Sequence, residues 1–409
     1  MSLQERSDLV LKFAQVLHNN GETTGETIEA TKRLGKVLGL STEVIPGWRE
    51  ILLQSADGNE KLLSVANANP TGVDMDRVSS AMQLIDNAGS QETTYANLEK
   101  AIKTIARTPP APTWLFALAA AGGAVALSVI FGIQHIIPVV LIALSAAAGA
   151  LIRRRLAKYT DNPFLQPFCA ALLAGIIGAV GVLFNLSSSL RLIAVAPCMV
   201  LVPGPPVLNG MIDLIQARIN LAISRLVYAG FIILAISSGL LLTLTLLNVS
   251  LPVEAPGRTI AIWADVLAAG IAAAAYSVFY STPPRMIGWP IAVGMIAHAL
   301  RFETLAVGGN VVTGAFVASV FVGLIMTPIA RRRHMPFAAI GFASVVSMIP
   351  GVYLFRLASG LLQLANGSNT TLQLLGGMAY DGATAIGIIL AISFGLVVPK
   401  IAIDHFMKY

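Results

Sequence analysis

Three carboxylates, Asp213, Asp265 and Asp381, stand in stretches that are otherwise apolar, and Arg225, Arg356 and His298 stand in similar company. A charge is expensive in such surroundings, so each of these residues is a candidate for a task that needs one. A carboxylate able to gain and lose a proton could couple a reaction or a movement to a proton gradient. A guanidinium pairs bidentately with a carboxylate, so Arg225 and Arg356 could bind a substrate carboxylate or hold one of the three aspartates. His298 titrates near neutrality, although a lone histidine on an apolar segment more often serves structure. Each aspartate also has a blander reading. Asp213 is five residues from Arg218 and could be a charge at a segment end, and Asp265 and Asp381 lie near the heads of their segments.

A second pattern lies close to these charges. "LVPGPPVLNG" (201–210) and "SMIPGVYLFR" (347–356) both interrupt apolar runs, and their Pro-Gly pairs are 147 residues apart. Proline removes a backbone donor and clashes with the preceding turn, while glycine tolerates the bend. A broken helix frees N–H and C=O groups that hydrocarbon cannot satisfy, so such breaks are tolerated where protein or a wet cavity meets them. Pro203, Gly204 and Asn209 at one break, and Pro350, Gly351 and Arg356 at the other, are therefore expected to line a substrate site. Two ordinary packing kinks are the alternative.

The elements that carry these residues follow from hydropathy. The chain has 409 residues, of which 56% are hydrophobic and 12% charged, half the charge of an ordinary soluble domain. Residues 1–112 hold 11 basic and 14 acidic side chains, whereas 113–409 hold 16 and 7. The first part reads as a soluble domain and the rest as a membrane domain. Ten apolar segments are expected near 114–133, 136–152, 165–185, 190–217, 219–248, 259–280, 286–300, 303–328, 335–364 and 378–403. Most reach the ~20 residues that cross ~30 Å of hydrocarbon.

Charge orients them. With residues 1–112 in the cytoplasm, twelve basic residues fall on the cytoplasmic side, including Arg153–Arg155, Arg218, Arg225, Arg285, Arg331–Arg333, Lys400 and Lys408. Only Arg191, Arg258, Arg301 and Arg356 fall on the other. This is the positive-inside bias, and it places both termini in the cytoplasm. It also accounts for the basic balance without nucleic acid, which is not expected as a partner. Ten spans divided by the recurring Pro-Gly give two sets of five, 113–250 and 251–409. An odd number per set makes the second enter from the opposite side, an inverted repeat of the kind secondary transporters use.

The soluble part reads as a small α+β domain. Helices are expected over "RSDLVLKFAQVLHNN" and "GETTGETIEATKRLGKVLG", then strands around "TEVI", "REILLQSA" and "EKLLSVAN", then helices over "VDMDRVSSAMQLIDNAG" and "QETTYANLEKAIKTIA". "HNNGETTGET" is polar enough for a small binding site, but a turn with capping Thr and Glu is favoured. No phosphate loop, metal-ligand spacing or nucleophile elbow appears, and Cys169 and Cys198 fit neither a disulfide framework nor a metal site. No cofactor is expected. The charged start "MSLQERSDLVLKF" is unlike a secretory signal.

With these residues in view, the chain resembles the threonine/serine exporter family over essentially its full length. The likeness is carried by "HNNGETTGETIEATKRLGKVLGL", by "LVPGPPVLNGMIDLIQARINLAISRL" with Pro203, Gly204, Asn209, Gly210, Asp213 and Arg225, and by "MIPGVYLFR" with Pro350, Gly351, Tyr353 and Arg356. The resemblance implies a plasma-membrane (inner-membrane) exporter of small hydroxy amino acids, with protons and the lipid bilayer as its other partners. It implies no enzyme. In the family the two halves also occur as separate chains associated with succinate export, so a dicarboxylate is the alternative substrate. The polar stretch "QLANGSNTTLQLLGGMAYDG" departs from the usual ending. A hydrolase in the soluble part, a channel and a homo-oligomer remain open at this point.

Overall fold

The computed structural model describes residues 2–90, 94–133, 135–184, 190–247, 249, 260–365 and 371–406. Arg258, Lys408 and the expected boundary at 250/251 lie outside them. The chain begins with helices α1 (Leu3–Asn19) and α2 (Thr24–Val37), followed by strands β1 (Ser41–Pro46), β2 (Glu50–Asp57) and β3 (Glu60–Asn67). Helices α3 (Met75–Ser90) and α4 (Tyr95–Arg107) complete this part. Helix α1 starts at a reciprocal capping box between Ser2 and Glu5, as the hydroxyl-x-x-Glu spacing dictates. The strands form an antiparallel meander whose β2–β3 turn pairs Asp57 with Glu60. Leu9, Phe13 and Leu17 of α1 are buried with Ile51 and Leu53 of β2 and with Ile85, Leu98 and Ile102 of α3 and α4 in one core.

Twelve helices follow: α5 (Thr113–Ile130), α6 (Ile136–Leu156), α7 (Leu165–Leu183), α8 (Leu190–Met199), α9 (Gly204–Ile215), α10 (Ile219–Leu246), α11 (Ile262–Phe279), α12 (Gly288–Ala306), α13 (Val311–Arg333), α14 (Phe337–Val345), α15 (Gly351–Ala365) and α16 (Leu372–Phe406). Seven are long and apolar enough to cross a membrane, and the number rises to nine if the bent pairs α8–α9 and α14–α15 each count as one span. Helix α12, with His298, Arg301 and Glu303, falls outside that count. The eighth expected segment is displaced: α13 begins at Val311, not near 303. Gly308 turns the chain with φ +93°, and the Asn310 side chain caps α13 by accepting from Val312 and Thr313 N–H. Arg301 thus belongs to a helix and not to a connection.

The helix contacts occur in matching sets. α5, α6 and α8 touch one another, as do α11, α12 and α14. α7 packs on α10 and α13 on α16, while α9 meets α10 and α15 meets α16. Across the two sets α5 meets α11, α9 meets α14, and α8 meets α15.

The N-terminal part, expected from the sequence to be soluble, sits on the face where α6, α11, α13 and α16 end. Met75 N–H donates to Tyr280 C=O at 2.8 Å, Ser79 Oγ to Arg333 C=O at 3.3 Å, and Arg154 to Ala111 C=O at 2.9 Å. His334 pairs with Asp86 at 2.7 Å, and Trp48 packs on Tyr228. The Arg triplets therefore lie on the same face as the soluble part. Lys400, expected in a tail, is instead buried within α16, paired with Asp404.

Candidate functional site

Both Pro-Gly pairs break their helices, by 52° between α8 and α9 and by 68° between α14 and α15. The local chemistry is the same in each. Pro203, at φ −84° and ψ 66°, has the geometry of an inverse γ-turn, closed by Gly204 N–H donating to Val202 C=O at 3.0 Å. Gly351 N–H donates to Ile349 C=O at 2.9 Å across Pro350. The joints also face each other. A Cβ on Gly204 would stand 1.9 Å from the Phe342 ring of α14, and one on Gly351 would stand 2.9 Å from Met199 Cγ of α8. Each glycine is thus required by the half-helix that precedes the other break.

A cavity of about 40 Å³ beside the joints is lined by Val202, Val207, Phe342, Ile349, Pro350 and others, with Ser393 as its one hydroxyl. The Tyr276 hydroxyl braces the first joint by donating to Met199 C=O at 3.0 Å.

The ionisable residues sort into three pairs, each between neighbouring helices. Asp213 of α9 is wholly buried, with Arg225 Nε of α10 at 3.1 Å and Arg218 Nη1 at 3.4 Å from its two oxygens. The Arg225 contact is off the hydrogen-bond direction, and Arg225 Nη2 finds no hydrogen-bond partner among the described residues. Asp265 of α11 lies 3.0 Å from His298 Nε2 of α12, whose Nδ1 is 2.9 Å from Ser347 Oγ, three residues before Pro350. Arg356 Nε of α15 lies 3.0 Å from Asp381 Oδ2 of α16. A single site that gathers all three aspartates is not what these pairs make.

The soluble part reaches into the first pair. Thr24 Oγ1 donates to Asp213 Oδ2 at 3.0 Å, and Asn209 Nδ2 donates to Gly21 C=O at 3.1 Å. The turn between α1 and α2 is buried from Asn20 to Thr24. It is a capped turn, since Thr23 accepts from Glu26 N–H, and it is also the piece that docks on α9. Sequence reasoning found the cap and missed the docking. The density of polar residues in "HNNGETTGET" was the signal available.

Beside this contact lies a cavity of about 860 Å³, walled by α2 on one side and by the ends of α9, α13 and α16 on the other. Burial, with Glu26 nearby, pushes the Glu22 carboxyl in its wall up to about 7. His18, enclosed on the same turn and bonded to Gly47 C=O at 2.9 Å, is pushed down to about 4 by burial and by the positive Arg225. Glu22, Thr24 and Ser347 are participants the sequence did not single out, and Arg218 stood out only as a charge at a segment end. Among the described residues no cluster of His, Cys, Asp and Glu could hold a metal ion.

Comparison with known proteins fits this architecture. A family model described as a threonine/serine exporter matches residues 8–247, and a second, also described as a threonine/serine exporter, matches residues 265–402. A probable threonine/serine exporter from Mycobacterium tuberculosis (strain ATCC 25618 / H37Rv) is 22% identical over 399 residues, spanning 91% of this chain and 74% of the relative. No solved structure gives a significant match. Several helices apolar enough to span a membrane, joined to these family matches, make this a multi-pass membrane protein, and the chain belongs to the threonine/serine exporter family.

Proposed function

We propose that the protein exports threonine, serine or a similar small hydroxy amino acid across the plasma membrane, driven by the proton gradient. Both termini and the soluble domain (1–112) face the cytoplasm, and ten spans form two inverted repeats, 113–250 and 251–409. The matching helix contacts in the two sets support that organisation. The two joints are the moving parts. Pro203 and Gly204 on one side and Pro350 and Gly351 on the other part to admit substrate, with Asn209 and Arg356 as polar contacts on the half-helices that follow. Asp213, Asp265 and Asp381 carry the protons, and Arg225 is the charge partner of Asp213.

The observation that carries this reading is the pairing of a carboxylate with a cation directly behind each joint. A tilt of α9 or α15 separates the pair, and an aspartate that loses its cation gains a reason to take up a proton. Movement and protonation are then linked by one contact. Vesicles loaded with labelled threonine, holding the purified chain, test it. Efflux should accelerate several-fold under an imposed pH gradient and collapse with an uncoupler. Efflux indifferent to the gradient would remove the proton from the mechanism, and efflux of succinate in preference to threonine would replace the substrate.

A further inference from the structure

The 860 Å³ cavity lies outside the joints, and its volume falls within the range of small-molecule sites, ~300–1,000 Å³. Its walls are chemically unlike. One wall holds Glu22, in the turn before α2, and Glu26 and Glu29, which are three residues apart on α2 and share a face. Among the described residues none of these three takes part in an ion pair, although Glu22 is buried at 3% exposure. Arg331, Arg33 and Lys400 also line the cavity, but Arg33 pairs with Asp86 and Lys400 with Asp404, so the Glu26 and Glu29 carboxylates stay open to a cation from outside.

The opposite wall supplies the other sign. Arg218 lines the same cavity, and its guanidinium lies 3.9 Å from where a Cβ on Gly25 would stand. Gly25 directly precedes Glu26, so the Arg218 guanidinium stands at the first turn of α2. The first turn of α2 adds the positive end of its dipole on the Arg218 side. A ligand with an ammonium at one end and a carboxylate at the other matches Glu26 and Arg218 together.

We propose that this cavity is a loading site for a small zwitterionic amino acid, its ammonium held by the Glu26 carboxylate and its carboxylate by Arg218. The site is shared between the soluble domain and α9–α10, so it fills before the joints open. The substrate class rests on the exporter reading above, while the site rests on the cavity.

Equilibrium binding to the full chain in lipid nanodiscs tests it, with L-threonine, N-acetyl-L-threonine and L-threonine methyl ester as probes. Threonine should bind, and each capped analogue should bind at least tenfold more weakly, because each lacks one of the two charges. Glu26→Gln and Arg218→Lys should each weaken threonine at least fivefold while keeping the wild-type melting temperature. Glu26 is chosen because Glu22→Gln alters a buried group. Capped analogues that bind like threonine would overturn the site, as would wild-type affinity in both variants. Threonine efflux from vesicles, measured in parallel, separates the two readings. Efflux with none of the binding pattern overturns the loading site alone, and neither efflux nor binding overturns both.

Discussion

The two Pro-Gly joints share a backbone and differ in everything attached to it. Behind the first, the half-helix α9 carries the acid, Asp213, and the next helix carries the cation, Arg225. Behind the second the signs are exchanged, with Arg356 on α15 and Asp381 on α16. Their surroundings differ as well. Asp213 is gripped by Thr24 of the soluble part. Asp381 stands nineteen residues before Lys400, about 28 Å along the helix from the cavity that Lys400 lines, toward the opposite face. The first joint is held by the N-terminal part through Thr24, and the second by the pair between α15 and α16. Movement of the N-terminal part therefore acts directly on the first.

A large effect tests whether the joints differ in steric tolerance. Gly204→Ala drives a methyl group into an aromatic ring, and relief needs a shift of α9 or of Phe342, at ~1–3 kcal/mol. Gly351→Ala meets Met199, whose unbranched side chain can move aside. Efflux should fall more than tenfold for Gly204→Ala and less than threefold for Gly351→Ala. Adding Phe342→Ala to Gly204→Ala should return most of the rate. Equal losses at the two glycines would mean that the joints are equivalent.

Exchanging the charges sharpens the point. Asp213→Asn leaves Arg225 buried without its partner, a loss of ~3–5 kcal/mol, and should abolish gradient-driven efflux. The double variant Asp213→Arg with Arg225→Asp copies the polarity of the second half. It should not restore efflux, because Arg218 then faces a cation. Normal efflux by the exchanged pair would show that only the presence of a pair matters.

Much of this was legible in the chain, and what was not has a common cause. The Pro-Gly pairs announced both breaks because proline removes a specific hydrogen bond wherever it falls in a helix. The strands were legible too, from their alternation and the Gly58 turn. Asp213 and Arg225 drew notice as rare charges, and their contact needed only that the chain fold back between α9 and α10. Thr24 and Asp213 are 189 residues apart, and no local pattern reports such a contact. Ser347 looks like any serine until α12 brings His298 to it. The start of α13 was misplaced because a hydrophobic run extends through "FETLAVGG", and the turn there is set by Gly308 and the Asn310 cap.

A smaller effect isolates the clamp. Thr24→Val keeps the shape of the side chain and removes the O–H donated to Asp213, a bond to a charged acceptor worth ~1.5–3 kcal/mol. Hydrogen exchange in the Asn20–Thr24 turn should rise, and efflux should change by no more than about tenfold. Exchange near Tyr353 and Arg356 should stay at its wild-type level. If both regions loosen together, the soluble domain clamps the whole membrane domain and not one joint.

The smallest effect is one that the wild-type chain conceals. Glu22 keeps its proton up to about pH 7 when folded, against 4.5 when unfolded. Its contribution to stability is full below pH 4.5 and is lost as the pH rises to about 7. His18 resists protonation down to about 4, against 6.5 when unfolded, so its contribution is full above pH 6.5 and is lost as the pH falls to about 4. Each shift is on the order of 3 kcal/mol at most. Between pH 4.5 and 6.5 the two slopes oppose each other, and the wild-type melting temperature should be nearly flat there, with a small fall toward pH 7. Glu22→Gln removes one slope and keeps the neutral shape of the side chain. Its melting temperature should climb steadily from pH 4 to 6.5 and then level off, which thermal denaturation of the full chain across that range would record. Parallel curves for wild type and Glu22→Gln would mean that Glu22 is ionised in the folded protein, and that the cavity wall is wetter than its burial implies.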